Sequence, residues 1–252
     1  MDKSPLLKKF SGSERITNLF TIGDATEIES STKVRLWIFD PPYNIGYRYK
    51  KVGDSLPWNE YEDLISKSCL NMLKHSQHNA SLVMINYPSQ SARLLPVIED
   101  SGWTLHQMIA WVYPSNIGHS SRKFTTAQRT ISWYRRTTST PYFDVKAVVQ
   151  PYKNPNDKRI KERIVNGSLG VNLYDWWEIN LRKNVSQGYV GWANQLPTEL
   201  IRRLVLTMSQ PGDMVGDLMA GGGTTFEVCK ELDRSVWLND IDESALDIWK
   251  SL

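Results

Sequence analysis

The chain has 252 residues, 40% of them apolar, and a formal net charge of +3. That length suits one α/β domain with a modest insertion, residues 1–252 with an insertion at 137–175, and the apolar content excludes a disordered chain. Two distant cysteines, Cys69 and Cys229, with no paired Cys/His spacing leave no metal site expected, and the absence of a long apolar stretch or signal-like start predicts a soluble, cytoplasmic protein with no membrane partner.

In chain order, an apolar strand over 34–39 runs into Asp40-Pro41-Pro42-Tyr43, where the prolines stop regular structure and force a loop. Helical spacing over 61–73 is followed by a strand over 82–86 and a helix over 92–99. Strands are predicted over 108–112 and 130–134. Residues 137–175, rich in Pro, Asn, Gly and Lys, read as an irregular insertion. A helix over 198–208 precedes the turn Pro211-Gly212. Then come a strand over 214–218, a tight loop at Gly221-Gly222-Gly223, a helix over 224–232, a strand over 235–239 and a helix over 242–252. Strands alternating with helices at this length predict a doubly wound, mostly parallel sheet.

Charge is unevenly spread. Between 118 and 140 stand Arg122, Lys123, Arg129, Arg135 and Arg136 with no acid, and Lys153, Lys158, Arg159, Lys161 and Arg163 follow. The last forty residues are rich in Asp and Glu. A basic middle and an acidic end fit a protein that grips a polyanion with one face.

Two motifs carry chemistry. The segment from Met214 to Thr225 is strand, glycine turn and helix start. Glycines let backbone approach a ligand, and the helix amino end offers free N–H groups. Asp240, about twenty residues on, follows a strand and can hydrogen-bond ribose hydroxyls. Together they predict a nucleoside-bearing cofactor, either NAD or S-adenosylmethionine. In the other motif, Pro41 and Pro42 stiffen the loop that holds Asp40. The Asp40 carboxylate and the Pro41 carbonyl can accept both N–H donors of an exocyclic amine and aim its lone pair at an electrophilic methyl. Tyr43 is expected to stack on a base turned out of its helix.

These residues resemble the amino-methyltransferases of DNA restriction-modification systems. Asp-Pro-Pro-Tyr near the start and the glycine loop near the end look like the permuted, beta-class order. Gly23-Asp24 is similar to the family's Gly-Asp. Residues 109–115, Arg122-Lys123-Phe124 and 131–134 resemble its middle motifs. Trp177-Glu178-Ile179 resembles the close of its insertion, and Asn194-Gln195-Leu196-Pro197 falls where the family has Gln-Lys-Pro. The chain departs from the pattern at Leu218, Met219 and Gly222, which replace Pro, Phe and Ser, at Leu196 in place of Lys, and at Trp192 where His is common.

The resemblance implies a seven-stranded sheet with one antiparallel hairpin and S-adenosyl-L-methionine as cofactor. Asp217, Ala220, Gly221, Gly223 and Thr224 would line its methionine and ribose, Asp240 would hold the ribose, and Asp24 would lie near its adenine. Asp40, Pro41, Pro42 and Tyr43 would form the catalytic loop. Double-stranded DNA would meet the insertion and Arg122, Lys123, Arg135, Arg136, Lys158 and Arg159. A companion restriction endonuclease and a homodimer are compatible with such a protein. Asp as the first motif residue is typical of adenine-N6 enzymes in the family, whereas Ser is common in its permuted cytosine-N4 enzymes. Adenine N6 is therefore the expected target, with cytosine N4, an RNA adenine or a non-catalytic nucleic-acid binder as alternatives. A dehydrogenase fits less well, because no second nucleotide half follows the glycine motif.

Overall fold

The computed structural model describes residues 8–11, 16–46, 54–114, 121–182, 190–192 and 194–252. Ser115 of the middle motifs, the start of the basic run at 118–120 and the first seven residues lie outside them. The strands are β1 (Lys8–Ser11), β2 (Thr17–Ile22), β3 (Val34–Phe39), β4 (Ser76–Asn86), β5 (Trp103–Val112), β6 (Gln128–Arg136), β7 (Val149–Gln150), β8 (Val171–Asn172), β9 (Trp176–Glu178), β10 (Met214–Asp217) and β11 (Ser235–Asp240). The helices are α1 (Trp58–Lys74), α2 (Pro88–Asp100), α3 (Lys158–Val165), α4 (Thr198–Met208), α5 (Thr224–Glu231) and α6 (Ser244–Ser251).

One sheet runs β1-β2-β11-β10-β3-β4-β6-β5-β9. Its seven strands from β2 to β5 are the expected sheet, with β5 and β6 as the antiparallel hairpin. The sheet is wider than expected, nine strands instead of seven: β1 adds an antiparallel edge and β9 a parallel one. Strands β2, β11, β10, β3 and β4 are mutually parallel. Their carboxyl ends therefore open on one side of the sheet, where ligands bind in open α/β folds.

Alternation along β3 splits the core into two layers, as period-two side chains require. Leu36 and Ile38 pack with Leu200, Ile201 and Leu204 of α4 and with Phe226 and Val228 of α5. Trp37 and Phe39 pack with Tyr61, Ile65 and Cys69 of α1 and with Leu94 and Ile98 of α2. Helices thus cover both faces, and β3 reads as an apolar run broken only by Arg35, which is partly buried and pairs with Asp213 at 3.3 Å. Pro57 and Pro197, extended in backbone, precede α1 and α4 and mark where each helix begins.

The insertion is more ordered than its composition predicts. β7 and β8 pair as a separate two-stranded sheet, with α3 between them. The Asp157 carboxylate caps α3 by accepting the N–H of Arg159 at 2.9 Å and of Ile160 at 3.4 Å. No α3 side chain is buried, although Ile160 and Ile164 stand one turn apart on it. Among the described residues, no helix is long and apolar enough to cross a membrane.

Gly216 sets the spacing at the centre of the sheet. A Cβ there would lie 2.2 Å from the Trp37 ring. Trp37 cannot yield easily: its indole N–H donates to Ser76 Oγ at 2.9 Å, and its ring leans on Trp237 at 5.6 Å. Gly216→Ala is expected to cost about 1–3 kcal/mol by overpacking. Thermal unfolding should show a midpoint lowered by roughly 2–4 °C for each kcal/mol. An unchanged midpoint would mean that the core around Trp37 adjusts freely.

Candidate active site

The Asp40–Tyr43 loop leaves β3 and is held from three directions. Tyr61 of α1 donates its hydroxyl to the Pro42 carbonyl at 2.7 Å, and Asn86 at the end of β4 donates to that hydroxyl at 3.0 Å. Asn44, at φ 54°, exchanges side-chain hydrogen bonds with the Leu56 backbone at 2.7 and 3.0 Å. The buried Asp54 carboxylate accepts the N–H groups of Asn44 and Ile45. Pro41 is buried, and its carbonyl accepts no hydrogen bond among the described residues. Asp54, Asn86 and Tyr61 carried no signal in the sequence, since each acts by position alone.

Tyr43 stands beside Asp40 in a closed setting. It is only 2% exposed, and its hydroxyl donates to Asp40 Oδ1 at 2.6 Å. Its ring meets Tyr87 edge to face at 5.4 Å, and the Arg129 guanidinium lies over it at 4.6 Å. In this structure the ring is enclosed, and its hydroxyl holds the Asp40 carboxylate. Burial pushes the Asp40 carboxyl up to about 6, against the opposing pull of Arg129 and the Tyr43 hydrogen bond.

The glycine loop forms the other half of the site. Gly223, at φ 77°, starts α5 in the left-handed conformation. A Cβ on Gly221 would lie 2.6 Å from the Trp192 indole nitrogen, and one on Gly223 would lie 2.6 Å from Trp249. Trp192 therefore walls the loop, at the position where the resembling family has His. Trp249 donates to the Gly221 carbonyl at 2.9 Å from the other side. Asp240 Oδ2 accepts the Gly221 N–H at 2.9 Å, so the acid closes the loop as well as facing the ligand space. Asp217 accepts from Thr225 Oγ1 at 2.6 Å and from the Met219 N–H at 3.3 Å.

One cavity of about 300 Å³ joins the two halves. Asp24, Asp40, Pro42, Asp217, Ala220, Gly221, Thr224 and Asp240 all line it; Gly223, Pro41 and Tyr43 lie behind its wall. With Asp242, five aspartates face this space, and no Lys, Arg or His among the described residues does. Burial pushes Asp217 up to about 7, helped by the charge of Asp40 and opposed by the Thr225 hydrogen bond; burial also raises Asp240. Such a cavity favours a cation and disfavours a pyrophosphate. Gln195, 6% exposed, lines it with an amide nitrogen that has no hydrogen-bond partner. No group of three or more His, Cys, Asp or Glu among the described residues is placed to hold a metal.

The basic residues divide. Arg122 and Lys123 are exposed just before β6, beside the carboxyl ends of the parallel strands, and Lys158 and Arg159 are exposed on α3. Arg135 and Arg136 stand at the far end of β6, away from the cavity. Arg135 donates to the carbonyls of Thr137 and Ser139 at 2.9 and 3.1 Å, and Arg136 to those of Ser76 and Gln77 at 3.3 and 3.4 Å. The structure thus does not bring Arg135 and Arg136 to the site; they tie strand ends together. Arg129, counted among the basic residues, is buried at 5% exposure. It alternates with Ile131 and Trp133 along β6, whose Ser132 and Tyr134 on the other face are buried as well.

A doubly wound sheet that joins an Asp-Pro-Pro-Tyr loop to a glycine loop across one acidic cavity has the architecture of an amino-methyltransferase. The DNA methylase family model for N6 and N4 enzymes matches residues 34–251, and the chain belongs to this family. It is 32% identical over 228 residues to the Type II methyltransferase M.BglII of Bacillus subtilis, covering 85% of this chain and 62% of that one. The chain therefore spans less than two thirds of that relative. Among solved structures, the cytosine-N4-specific PvuII DNA methyltransferase superposes with a TM-score of 0.69 at 18% identity, over 92% of this chain and 91% of the other. M1.HpyAVI in its complex with SAM superposes at 0.66 with 17% identity, over 92% and 98%. These likenesses establish the fold.

Proposed function

We propose that the protein methylates the N6 amino group of adenine in double-stranded DNA at a specific sequence, using S-adenosyl-L-methionine and a base turned out of the duplex. The observation that carries this reading is the shared cavity: Asp40, the acceptor for an amine, lines the same space as the glycine loop, Asp217 and Asp240. The fit to the cofactor is chemical. Its sulfonium and ammonium are cations, and five carboxylates face the space. Gln195 offers an unpaired donor for a carboxylate, and the absence of side chains at Gly221 and Gly222 leaves backbone open to contact. The M1.HpyAVI complex supports the same cofactor. When bound, it supplies an electrophilic methyl group.

The chain's own residues do the rest. The Asp40 carboxylate and the Pro41 carbonyl accept the two N–H groups of the amine and draw its lone pair out of ring conjugation. The Tyr43 hydroxyl occupies Asp40 Oδ1, which fixes the carboxylate and leaves Oδ2 for the amine. An Asp40 carboxyl pushed up to about 6 is also a better base than an ordinary aspartate for the proton that methylation makes acidic. Adenine is favoured by Asp as the first motif residue; the PvuII likeness keeps cytosine N4 as the second reading. The Type II relative supports a restriction-modification setting.

Arg122, Lys123, Lys158 and Arg159, exposed in the β5–β6 loop and on α3, are proposed to meet phosphates, and the 137–175 insertion to take part in recognising the target. Methylating plasmid DNA with the purified protein, digesting it to nucleosides and weighing them by mass spectrometry should place the methyl on deoxyadenosine. Methyl on deoxycytidine alone would overturn the adenine assignment. Asp40→Ala should lower transfer by about 10²–10⁴-fold while most cofactor binding survives; activity within tenfold of wild type would remove Asp40 from the chemistry. For the DNA face, Lys158→Glu with Arg159→Glu should flatten the salt slope of DNA binding by about 0.9 for each phosphate that is no longer neutralised. Arg135→Glu should leave the slope alone, and the reverse pattern would move the DNA face.

A further inference from the structure

Arg129 is a buried cation that the proposed chemistry does not use. It sits in β6 opposite Trp111 of β5. Its guanidinium carbon lies 4.6 Å from the ring centre of Tyr43, 5.2 Å from Trp111, 5.6 Å from Tyr87 and 5.8 Å from Tyr113. Two of these walls are anchored: the Trp111 indole donates to the Ile179 carbonyl at 2.7 Å and the Tyr113 hydroxyl to the Gln128 carbonyl at 3.2 Å. The Arg129 Nε is buried with no hydrogen-bond partner.

A guanidinium stays charged at any physiological pH, so taking it out of water needs compensation. Aromatic faces supply part of it through their quadrupoles. The rest must come from negative charge, and Asp40 is the carboxylate that acts on Arg129. The link between them is the Tyr43 ring, which carries Arg129 on its face and holds Asp40 by its hydroxyl at 2.6 Å. Two other carboxylates, Asp217 at the end of β10 and Asp240 at the end of β11, line the same cavity as Asp40, and the Asp40 charge raises Asp217. Without a neighbouring cation, three acids in one enclosed space cannot all stay ionised.

We propose that Arg129 is a positioning residue that keeps Asp40 in its carboxylate form and holds the Tyr43 hydroxyl on it. Protonated Asp40 would present a donor where the target amine needs an acceptor. The groups that act on Asp40 are Tyr43 on its own loop and Arg129 on β6; Tyr87 beyond β4 and Tyr113 beyond β5 face Arg129, and Asp217 on β10 feels the Asp40 charge. The direction agrees: the Arg129 charge lowers the Asp40 carboxyl against the larger effect of burial.

This inference rests on the reading that Asp40 accepts the target amine, and two readouts separate them. Carbon NMR of the full chain carrying labelled aspartate follows the Asp40 carboxyl directly, with Asp40→Asn to assign its signal. Single-turnover transfer to plasmid DNA across pH follows the chemistry. In wild type, transfer should rise with pH through about 6 as Asp40 loses its proton. Arg129→Met should move both the carboxyl midpoint and the rising limb upward by about one to three pH units. Arg129→Lys, which restores the charge, should bring both back toward wild type. A carboxyl midpoint that Arg129→Met leaves in place overturns the proposal. A midpoint that moves while the rate limb stays upholds the role of Arg129 and overturns the catalytic reading of Asp40. Arg129→Gln, also neutral but polar, takes the place of Arg129→Met if the latter lacks a cooperative thermal transition.

Discussion

Burial of negative charge beside an open space is the constraint on which this structure depends. Asp40, Asp217 and Asp240 end three adjacent parallel strands, so the sheet itself brings them together. Each is raised by burial, which means that the folded chain without a ligand holds these groups at a cost. The surrounding hydrogen bonds make that tolerable. Thr225 and the Met219 N–H serve Asp217, the N–H groups of Gly221 and Asp242 serve Asp240, and Tyr43 serves Asp40. A cationic ligand would relieve the same repulsion directly. Strand order, the glycine loop and the Asp40 loop together bring these acids to one cavity.

The loops around the cavity are built for close approach. Trp192 and Trp249 press on the glycine loop from two sides, and side chains at Gly221 or Gly223 would collide with them. The loop departs from its family's usual sequence at Leu218, Met219 and Gly222. Leu218 is buried in the core layer with Trp37 and Trp237, and Met219 packs against that layer. These replacements therefore alter the packing behind the loop as well as the cavity wall that both side chains reach.

Much of this was legible in the sequence where periodicity or backbone chemistry decided the outcome. The strand over 34–39 and the helix over 198–208 have the bounds that their apolar patterns predict. The two motifs meet in one cavity, as their positions at strand ends required. What stayed hidden depended on three-dimensional enclosure. α3 is only eight residues long and lies within a stretch whose Pro, Asn, Gly and Lys content masks its Ile160–Ile164 spacing. The cover that Tyr87 and Arg129 give the Tyr43 ring could not be read from the sequence. Arg135 and Arg136 look like phosphate ligands until their carbonyl partners are known. Net charge along a chain counts cations without saying which of them face water. Arg129 shares one face of β6 with Ile131, Trp133 and the half-buried Arg135, so alternation alone does not single it out.

Cofactor binding should meet acids that are still partly protonated, because burial has raised Asp217 to about 7 and Asp40 to about 6. A bound cation favours the ionised forms, so their protons must leave. Isothermal titration of the protein with S-adenosylmethionine near pH 6.5, repeated in buffers of different ionisation enthalpy, counts those protons. Net proton release is expected, smaller in Asp217→Asn and smaller with S-adenosylhomocysteine, whose sulfur is neutral. Binding heats that do not depend on the buffer, or a net uptake of protons, would contradict the central role given to these buried acids.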